Sequence, residues 1–391
     1  MKKLISLTLA AAMTMSLLAG CGSNSSAGTD SADASAETFK IGGIGPITGA
    51  GAVYGIAVKN GAELAIKEIN EAGGINGYQI EYNFQDDELD NEKSVNAYNT
   101  LKDWGMNMLV GSVTSGCCVA VAAESKNDNM FQITPSGSSV DCIEGNDNVF
   151  QVCFTDPNQG VGAADYIGEN NLASKVAVIY DSSDVYSSGI YAKFKEEAAT
   201  QNFEIVSEEA FTADNKTDFS VQLAKAQEAG AELVFLPIYY TEASLILKQA
   251  DSMGYAPKFF GCDGLDGILG VENFDTSLAE GVMLLTPFAA DAQDDLTKKF
   301  VSAYETAYND TPNQFAADAY DAVYAIKAAA EKGDVAPSDG VSGICDKMKA
   351  AMQEITVNGL TGEGMNWAAD GTVNKAPKAM EIKNGAYALV Q

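Results

Sequence analysis

Short apolar runs alternate with stretches of helical periodicity along the chain from Phe39 onward. Most of the apolar runs are compact, which is typical of parallel strands covered on both faces, and only the first of those listed here alternates at period two. The predicted strands lie at 80–84, 108–111, 131–134, 176–180, 233–237, 259–261, 282–286, 380–382 and 387–390.

Between these runs, apolar residues recur every three or four positions, and this spacing predicts helices. The helical patterns lie at 58–69, 161–167, 190–198, 219–226, 246–250, 296–304 and 319–326. The repeated order of strand, helix and strand predicts a doubly wound α/β architecture. The 391 residues supply more strands than one sheet ordinarily holds, so we expect two lobes.

The N-terminus predicts export. Lys2 and Lys3 precede an apolar stretch at 4–18 that is short for a membrane span, as in a secretory signal peptide at 1–20. The run 18–21, Leu-Ala-Gly-Cys, resembles a bacterial lipobox, in which Cys21 receives the lipid; an ordinary signal peptide with a chance cysteine is the alternative. Residues 21–38 then form a flexible linker. We expect a protein outside the cytoplasmic membrane, held on its outer face by acyl chains.

Composition narrows the chemistry further. The chain has no histidine, which excludes histidine relays and histidine metal sites, and 24 basic against 54 acidic residues give a net charge of −30. Such a charge repels nucleic acid, so we expect a small neutral or cationic partner. Glycine-rich nucleotide motifs and serine-nucleophile motifs are missing, and we expect neither a cofactor nor a metal ion.

Six cysteines follow Cys21. Cys142 and Cys153 flank a turn and are candidates for a disulfide, with free thiols as the alternative. Cys262 and Cys345 have the pattern of small apolar core residues.

Two polar loops follow predicted strands. Residues 111–116 and 134–139 are rich in glycine, serine and threonine and lead from strand ends toward helix starts. Ligands of open α/β sheets bind at this edge, where helix N-termini and hydroxyl groups accept anions. Each loop alone is also compatible with a simple helix cap and turn. Together they predict a cradle for a small anion such as a carboxylate.

The chain resembles the leucine/isoleucine/valine-binding proteins that deliver amino acids to ABC importers. The resemblance covers Phe39 to the C-terminus and rests on several motifs: Gly-Pro-Ile-Thr-Gly at 45–49, Ile-Asn-Glu-Ala-Gly-Gly-Ile-Asn-Gly at 69–77, Ile-Thr-Pro-Ser at 133–136 and Gly-Cys-Asp-Gly at 261–264. It implies the type I periplasmic binding protein fold, with two Rossmann-like lobes joined by a three-segment hinge. The N-terminal lobe would comprise 39–156 and 287–361, and the C-terminal lobe 157–286 and 362–391.

The same resemblance implies a ligand site between the lobes. Ser115, Gly116 and Ser138 would contact the α-carboxylate of an amino acid, and the Ser136 carbonyl, Ser138 and Asp263 would contact its α-ammonium. The other ligand-binding residues would be Tyr54, Val113, Thr114, Gly137, Tyr186, Tyr239 and Phe315. This pocket has no charge to pair with a charged ligand side chain, which favours branched-chain or other aliphatic amino acids.

These patterns favour a monomeric solute-binding lipoprotein that is not an enzyme and that delivers its amino acid to the permease subunits of an ABC importer. A ligand-sensing receptor subunit of the same fold is one alternative. A hydrolase that uses Asp263 and Asp266 is another, although the sequence offers no nucleophile, metal ligands or base to accompany them.

Overall fold

The computed structural model describes residues 37–390, in which two sheets form the framework. The first sheet contains β1 (Phe39–Gly45), β2 (Ile80–Asp86), β3 (Met108–Val110), β4 (Phe131–Thr134) and β5 (Val149–Gln151). Its strands are all parallel and lie in the order β2-β1-β3-β4-β5. The connecting helices cover both of its faces, which explains why its central strands β1, β3 and β4 are almost entirely buried.

The second sheet contains seven strands, in the order β12-β11-β10-β9-β8-β6-β7 as defined below. β11 is antiparallel to both of its neighbours, and the remaining pairs are parallel. The strands are β6 (Lys175–Asp181), β7 (Glu204–Phe211), β8 (Leu233–Leu236), β9 (Lys258–Gly261), β10 (Met283–Thr286), β11 (Lys378–Lys383) and β12 (Ala386–Leu389).

Ten α-helices connect and cover these strands in the described part of the chain. Between residues 37 and 390, no helix is long and apolar enough to cross a membrane. The helices are α1 (Ala52–Glu71), α2 (Asn91–Trp104), α3 (Ser115–Asp128), α4 (Asp156–Glu169), α5 (Val185–Ala198), α6 (Ser220–Glu228), α7 (Tyr240–Ser252), α8 (Asp295–Tyr308), α9 (Gln314–Lys332) and α10 (Gly340–Met352).

The chain passes between the two sheets three times. It leaves the first sheet after β5, returns after β10 so that α9 packs on α1 and α10 packs near β4, and passes to the second sheet again before β11. The predicted α/β architecture with two doubly wound lobes is therefore confirmed.

The lobe boundaries stay a prediction, but contacts of the last crossing bear on where it lies. Trp367 Nε1 donates a hydrogen bond to the Gln151 carbonyl at 2.7 Å, and the Gln151 N–H donates to the Gly371 carbonyl at 2.9 Å. Residues 367–371 thus lie against β5 of the first sheet. The predicted change of lobe lies at residue 362. These contacts indicate that the chain crosses to the second sheet later, between residue 371 and β11.

All six cysteines of the described part are free and buried. Cys142 and Cys153 are therefore not joined by a disulfide, and the alternative of free thiols holds. Cys262 and Cys345 lie in apolar clusters, which confirms their prediction as core residues.

One buried ion pair joins α9 to the segment that leads into β11. Lys375 Nζ lies 2.9 Å from Asp318 Oδ1, and the two side chains are only 1% and 3% exposed. Lys375 also donates a hydrogen bond to the Thr361 hydroxyl. Because both charges are removed from water, each depends on the other for compensation.

We expect Lys375→Met to lower the free energy of unfolding by about 3–5 kcal/mol, because the Asp318 carboxylate would remain buried without its partner. Urea unfolding followed by circular dichroism measures this loss. The matched control is Lys193→Met, which removes an exposed pair with Glu196 and should cost less than about 1 kcal/mol. Equal losses for the two variants would contradict a stabilising role for the buried pair.

Candidate functional site

Two loops at the carboxyl edge of the first sheet contain the predicted carboxylate contacts. They follow β3 and β4, which are parallel neighbours, so both loops leave the sheet at the same edge. Ser136 Oγ donates a hydrogen bond to the Val113 carbonyl at 2.7 Å, and the Ser139 N–H donates to Ser115 Oγ at 3.1 Å. These bonds hold the two loops against each other.

Hydroxyl groups on these loops are buried but not paired. Thr114 is the N-cap of α3, yet its side chain does not cap the helix. Neither Thr114 Oγ1 nor Ser138 Oγ has a hydrogen-bond partner among residues 37–390. Buried polar atoms are nearly always paired in folded proteins, so unpaired ones mark a place where a ligand group fits. With the positive end of α3 beside them, these hydroxyls suit an anion.

The opposite side of the site is built around Asp263, which follows β9 and is 4% exposed. The Tyr186 hydroxyl donates to Asp263 Oδ1 at 2.7 Å and accepts the Gly264 N–H at 2.9 Å. The Asp263 N–H donates to Gln159 Oε1 at 3.1 Å, and Gln314 Nε2 donates to the Asp263 carbonyl at 2.9 Å. Both the side chain and the backbone of Asp263 are therefore fixed by neighbouring groups.

Burial raises the pKa of the Asp263 carboxyl to about 7, although hydrogen bonds from Tyr186 and Gln159 oppose the rise. The carboxyl therefore changes its ionisation near neutral pH. A cation placed beside it would favour the ionised form.

Aromatic side chains close the site between the two sheets. The Tyr54 hydroxyl donates to the Gly264 carbonyl and accepts the Tyr240 N–H at 3.2 Å. The rings of Tyr54 and Phe315 have centroids 4.5 Å apart. Because Tyr54 belongs to α1 and Gly264 follows β9, these bonds join the two lobes directly.

The structure brings nine of the twelve predicted ligand residues around one cavity between the sheets. Its volume is about 10 Å³, no more than one water molecule needs. An amino acid therefore cannot enter without a movement of the surrounding side chains or lobes. The lining residues are Tyr54, Val113, Thr114, Ser115, Ser136, Tyr186, Tyr239, Asp263, Gly264 and Phe315, of which only Gly264 was not predicted.

The other three predicted residues lie next to the cavity or close to it. Gly116 faces an adjoining chamber instead. Gly137 packs so closely on Cys118 that an added Cβ would lie 2.9 Å from the Cys118 Cβ. Ser138 is fully buried and does not line the cavity.

The adjoining chamber is larger, at about 430 Å³, and shares Thr114 and Tyr239 with the cavity. Its charged lining is mainly acidic, and burial raises the pKa of one of these acids, Asp184, to about 6. The single lysine of the lining, Lys216, lies 3.3 Å from Glu242. The acidic lining residues are Asp90, Glu92, Asp181, Asp184 and Glu242.

Four residues near the site were not predicted from sequence: Asp156, Gln159, Asp184 and Gln314. Asp156 and Gln159 lie on the first turn of α4 and are both buried. The helix start at Thr155-Asp156-Pro157 is visible in the sequence, but it reads as an ordinary cap. Only the tertiary fold places this turn beside Ser138 and Asp263.

Asp263 and Asp266 do not flank a common space. Asp266 Oδ2 accepts the Gln314 N–H at 3.0 Å, and Asp266 lines a separate cavity with Thr286 and Tyr387. Among residues 37–390, no three His, Cys, Asp or Glu side chains are grouped to hold a metal ion. The inter-lobe cavity therefore has the unpaired Thr114 hydroxyl in one wall and the buried Asp263 carboxyl in another.

Comparison with known proteins shows which family the chain resembles. A family described as periplasmic binding protein matches residues 38–386. A Leu/Ile/Val-binding protein homolog from Brucella melitensis is 33% identical over 77% of this chain and 81% of its own length. A leucine-, isoleucine-, valine-, threonine- and alanine-binding protein from Pseudomonas aeruginosa is 30% identical over 81% of this chain and 84% of its own.

A solved structure extends the similarity to three dimensions. The branched-chain amino acid transporter substrate-binding protein of Streptococcus pneumoniae, in complex with isoleucine, is 30% identical and superposes with a TM-score of 0.81. The similarity covers 90% of this chain and 98% of that one. The chain thus belongs to the periplasmic binding protein family, among the substrate-binding proteins of branched-chain amino acid ABC transporters.

Proposed function

We propose that this protein captures an aliphatic amino acid between its two lobes and delivers it to the permease of an ABC importer. The observation that carries the proposal is the cavity between the sheets, with the unpaired Thr114 hydroxyl and a helix N-terminus at one end and the buried Asp263 carboxyl at the other. The names of the relatives support the same class of ligand.

The hydroxyl end suits the α-carboxylate of the ligand. Ser115 is the first residue of α3, and Thr114 and Ser138 have hydroxyls free to donate. An anion at this position gains hydrogen bonds and the favourable field of the helix N-terminus. These donors replace the hydration that a carboxylate loses when it is buried.

The Asp263 end suits the α-ammonium. A buried ammonium needs an opposite charge within hydrogen-bond reach, and Asp263 is the one charged side chain that lines the cavity. The walls between the two ends are largely apolar: Val113, Tyr54, Tyr239 and Phe315. An aliphatic side chain fits such walls because it requires no buried charge or hydrogen bond.

Export and anchoring are part of the proposal. The signal peptide, Cys21 and all but the last two residues of the linker lie outside the described residues. The expectation that the protein is exported and lipidated therefore rests on the sequence pattern. A lipid on Cys21 would hold the protein at the outer face of the cell membrane, within reach of a permease.

We expect aliphatic amino acids to raise the melting temperature most in a panel of amino acids, sugars and dipeptides. A ligand at a hundredfold excess over Kd stabilises the folded state by about 2.7 kcal/mol. Lysine and arginine belong in the panel because of the acidic chamber next to the cavity. A sugar or peptide that shifts the transition when no amino acid does would overturn the proposal.

The same ligand should draw the lobes together. The cavity is too small to admit an amino acid while the lobes are closed, so binding requires an opened form and then stabilises the closed one. Small-angle scattering with the best ligand of the panel should therefore give a smaller radius of gyration than the free protein. An unchanged radius with a tight ligand would argue against capture by closure.

At pH 8, Asp263→Asn should weaken amino acid binding by about 30-fold or more, which corresponds to the lower end of the 2–5 kcal/mol typical of a truncated buried charge pair. The matched control is Asp266→Asn, three residues on, which should change the affinity less than about threefold because Asp266 lines another cavity. Titration calorimetry measures both. Equal effects would show that the ammonium is held elsewhere.

The pH dependence follows from the pKa of about 7 at Asp263. Below this pH the free carboxyl is protonated and must lose its proton before it pairs with the ammonium, so affinity should fall by up to about tenfold per pH unit below 7. In Asp263→Asn this fall should be smaller. The ionisable groups within electrostatic range of Asp263 are the carboxyls of Asp156 and Asp318, the phenols of Tyr54 and Tyr186 and the thiols of Cys153 and Cys262.

Cys21→Ala should release the protein from the membrane, because the thiol is the site of lipid attachment. Detergent phase separation of lysed expressing cells measures the anchor, as the fraction of the protein found in the detergent phase. Cys345→Ala, which replaces a buried cysteine, is the matched control. Retention of the Cys21→Ala protein in the detergent phase would exclude lipidation at this residue.

A further inference from the structure

The cavity lined by Asp266, called the crossing cavity below, is separate from the inter-lobe cavity. Its volume is about 460 Å³, which is within the range of small-molecule binding sites and far more than one water molecule needs. The two cavities share no lining residue. A group bound in the crossing cavity would therefore leave the inter-lobe cavity free.

The walls of the crossing cavity are mostly apolar and come from several elements. Val53 belongs to α1 and Val301 to α8, whereas Met380 belongs to β11 and Tyr387 to β12. Phe288 follows β10, where the chain returns from the second sheet toward the first. An apolar ligand body fits such walls because it needs no hydrogen bond from them.

Asp266 is the buried acid of this cavity, at 4% exposure. Its Oδ2 accepts the Gln314 N–H at 3.0 Å, but its Oδ1 has no hydrogen-bond partner among residues 37–390. The Tyr387 hydroxyl is close enough to favour the ionised form of Asp266, yet it accepts the Gly267 N–H at 2.9 Å and completes no bond to Oδ1. Because buried acceptors are nearly always paired, this oxygen lacks a donor.

The other charged residues of the lining have the same sign as Asp266. They are Asp291, Glu305 and Asp310, all exposed. The lining residues, all of them in the described part of the chain, include no lysine or arginine. Burial raises the pKa of Asp266 to about 6, so its carboxyl is ionised at pH 8. Four carboxylates without a cation attract positive ligands and repel anions.

We infer that the crossing cavity is a second binding site, for a small organic cation whose ammonium group pairs with Asp266 Oδ1 and whose apolar body packs against Phe288 and Val301. An ammonium supplies both the missing donor and the opposite charge. The aromatic rings of Phe288 and Tyr387 add to the preference for a cation.

Two other occupants fit this cavity less well. A metal ion would leave the apolar walls unused, and in residues 37–390 no three His, Cys, Asp or Glu side chains are grouped to hold one. Water alone would gain little from walls such as Val53, Phe288 and Met380. The inference does not rest on amino acid capture, because Asp263 and the hydroxyl loops belong to the other cavity.

Benzylammonium is a suitable probe, and benzyl alcohol is its matched neutral control, with a hydroxyl in place of the ammonium. NMR titration of the wild-type protein at pH 8 measures both dissociation constants. Benzylammonium should bind at least about tenfold more tightly than benzyl alcohol, because only the cation makes a charge-assisted hydrogen bond. Equal affinities would overturn the inference, and so would an absence of benzylammonium binding. This comparison needs no variant.

Asp266→Asn tests the assigned partner. Asparagine keeps a carbonyl that can accept the Gln314 N–H but removes the charge, so benzylammonium should bind at least about 30-fold more weakly. Benzyl alcohol should bind within about threefold of its wild-type affinity, which also shows that the variant is folded. The matched variant Asp263→Asn should bind benzylammonium within about threefold of the wild type. A loss in Asp263→Asn without one in Asp266→Asn would assign the cation to the inter-lobe cavity and overturn the inference.

A crystal structure with benzylammonium at pH 8 locates the probe directly. We expect its nitrogen within about 3 Å of Asp266 Oδ1 and its ring beside Phe288. A probe bound elsewhere would overturn the inference. The two proposals can fail separately: a protein that binds leucine but not benzylammonium overturns only this inference, and one that binds benzylammonium at Asp266 but no amino acid overturns only the proposed function.

Discussion

The burial of the Asp263 carboxyl between two lobes is the constraint on which the site depends. Burial raises its pKa to about 7, so the free protein holds a carboxyl whose charge is only marginally favourable. Tyr186, Gln159 and Gln314 fix its position without supplying an opposite charge. A ligand ammonium would supply that charge, and the free energy gained on pairing would be available for closing the lobes.

The fold positions this carboxyl opposite its complement. The carboxyl edges of the two sheets face each other, so loops after β3 and β4 on one side meet the segment after β9 on the other. Tyr54 joins the lobes through the Gly264 carbonyl and the Tyr240 N–H. The polar ends of the cavity therefore lie on different lobes, and a zwitterion of matching length can satisfy both only when the lobes are close together.

The sequence predicted most strands of the two sheets from their apolar or alternating runs, but it missed β5 and β7. β8 is a continuous apolar run, β4 is buried at every position, and the structure has both where the pattern indicates. β7 was missed because it is an edge strand whose exposed positions are mainly acidic. β5 was missed because only two of its three residues are apolar. The loop residues of the cavity follow strand ends and were predicted. Asp156, which lies next to Ser138, belongs to a helix start that has no distinctive local pattern.

The central claim is that an amino acid lies between the lobes with its ammonium on Asp263 and its carboxylate on the hydroxyl loops. A crystal structure of the protein with leucine at pH 8 tests this most directly. We expect the leucine nitrogen within about 3 Å of an Asp263 carboxyl oxygen and the leucine carboxylate at a similar distance from Ser115 and Ser138. Leucine bound outside this cavity, or with its carboxylate toward Asp263, would contradict the account.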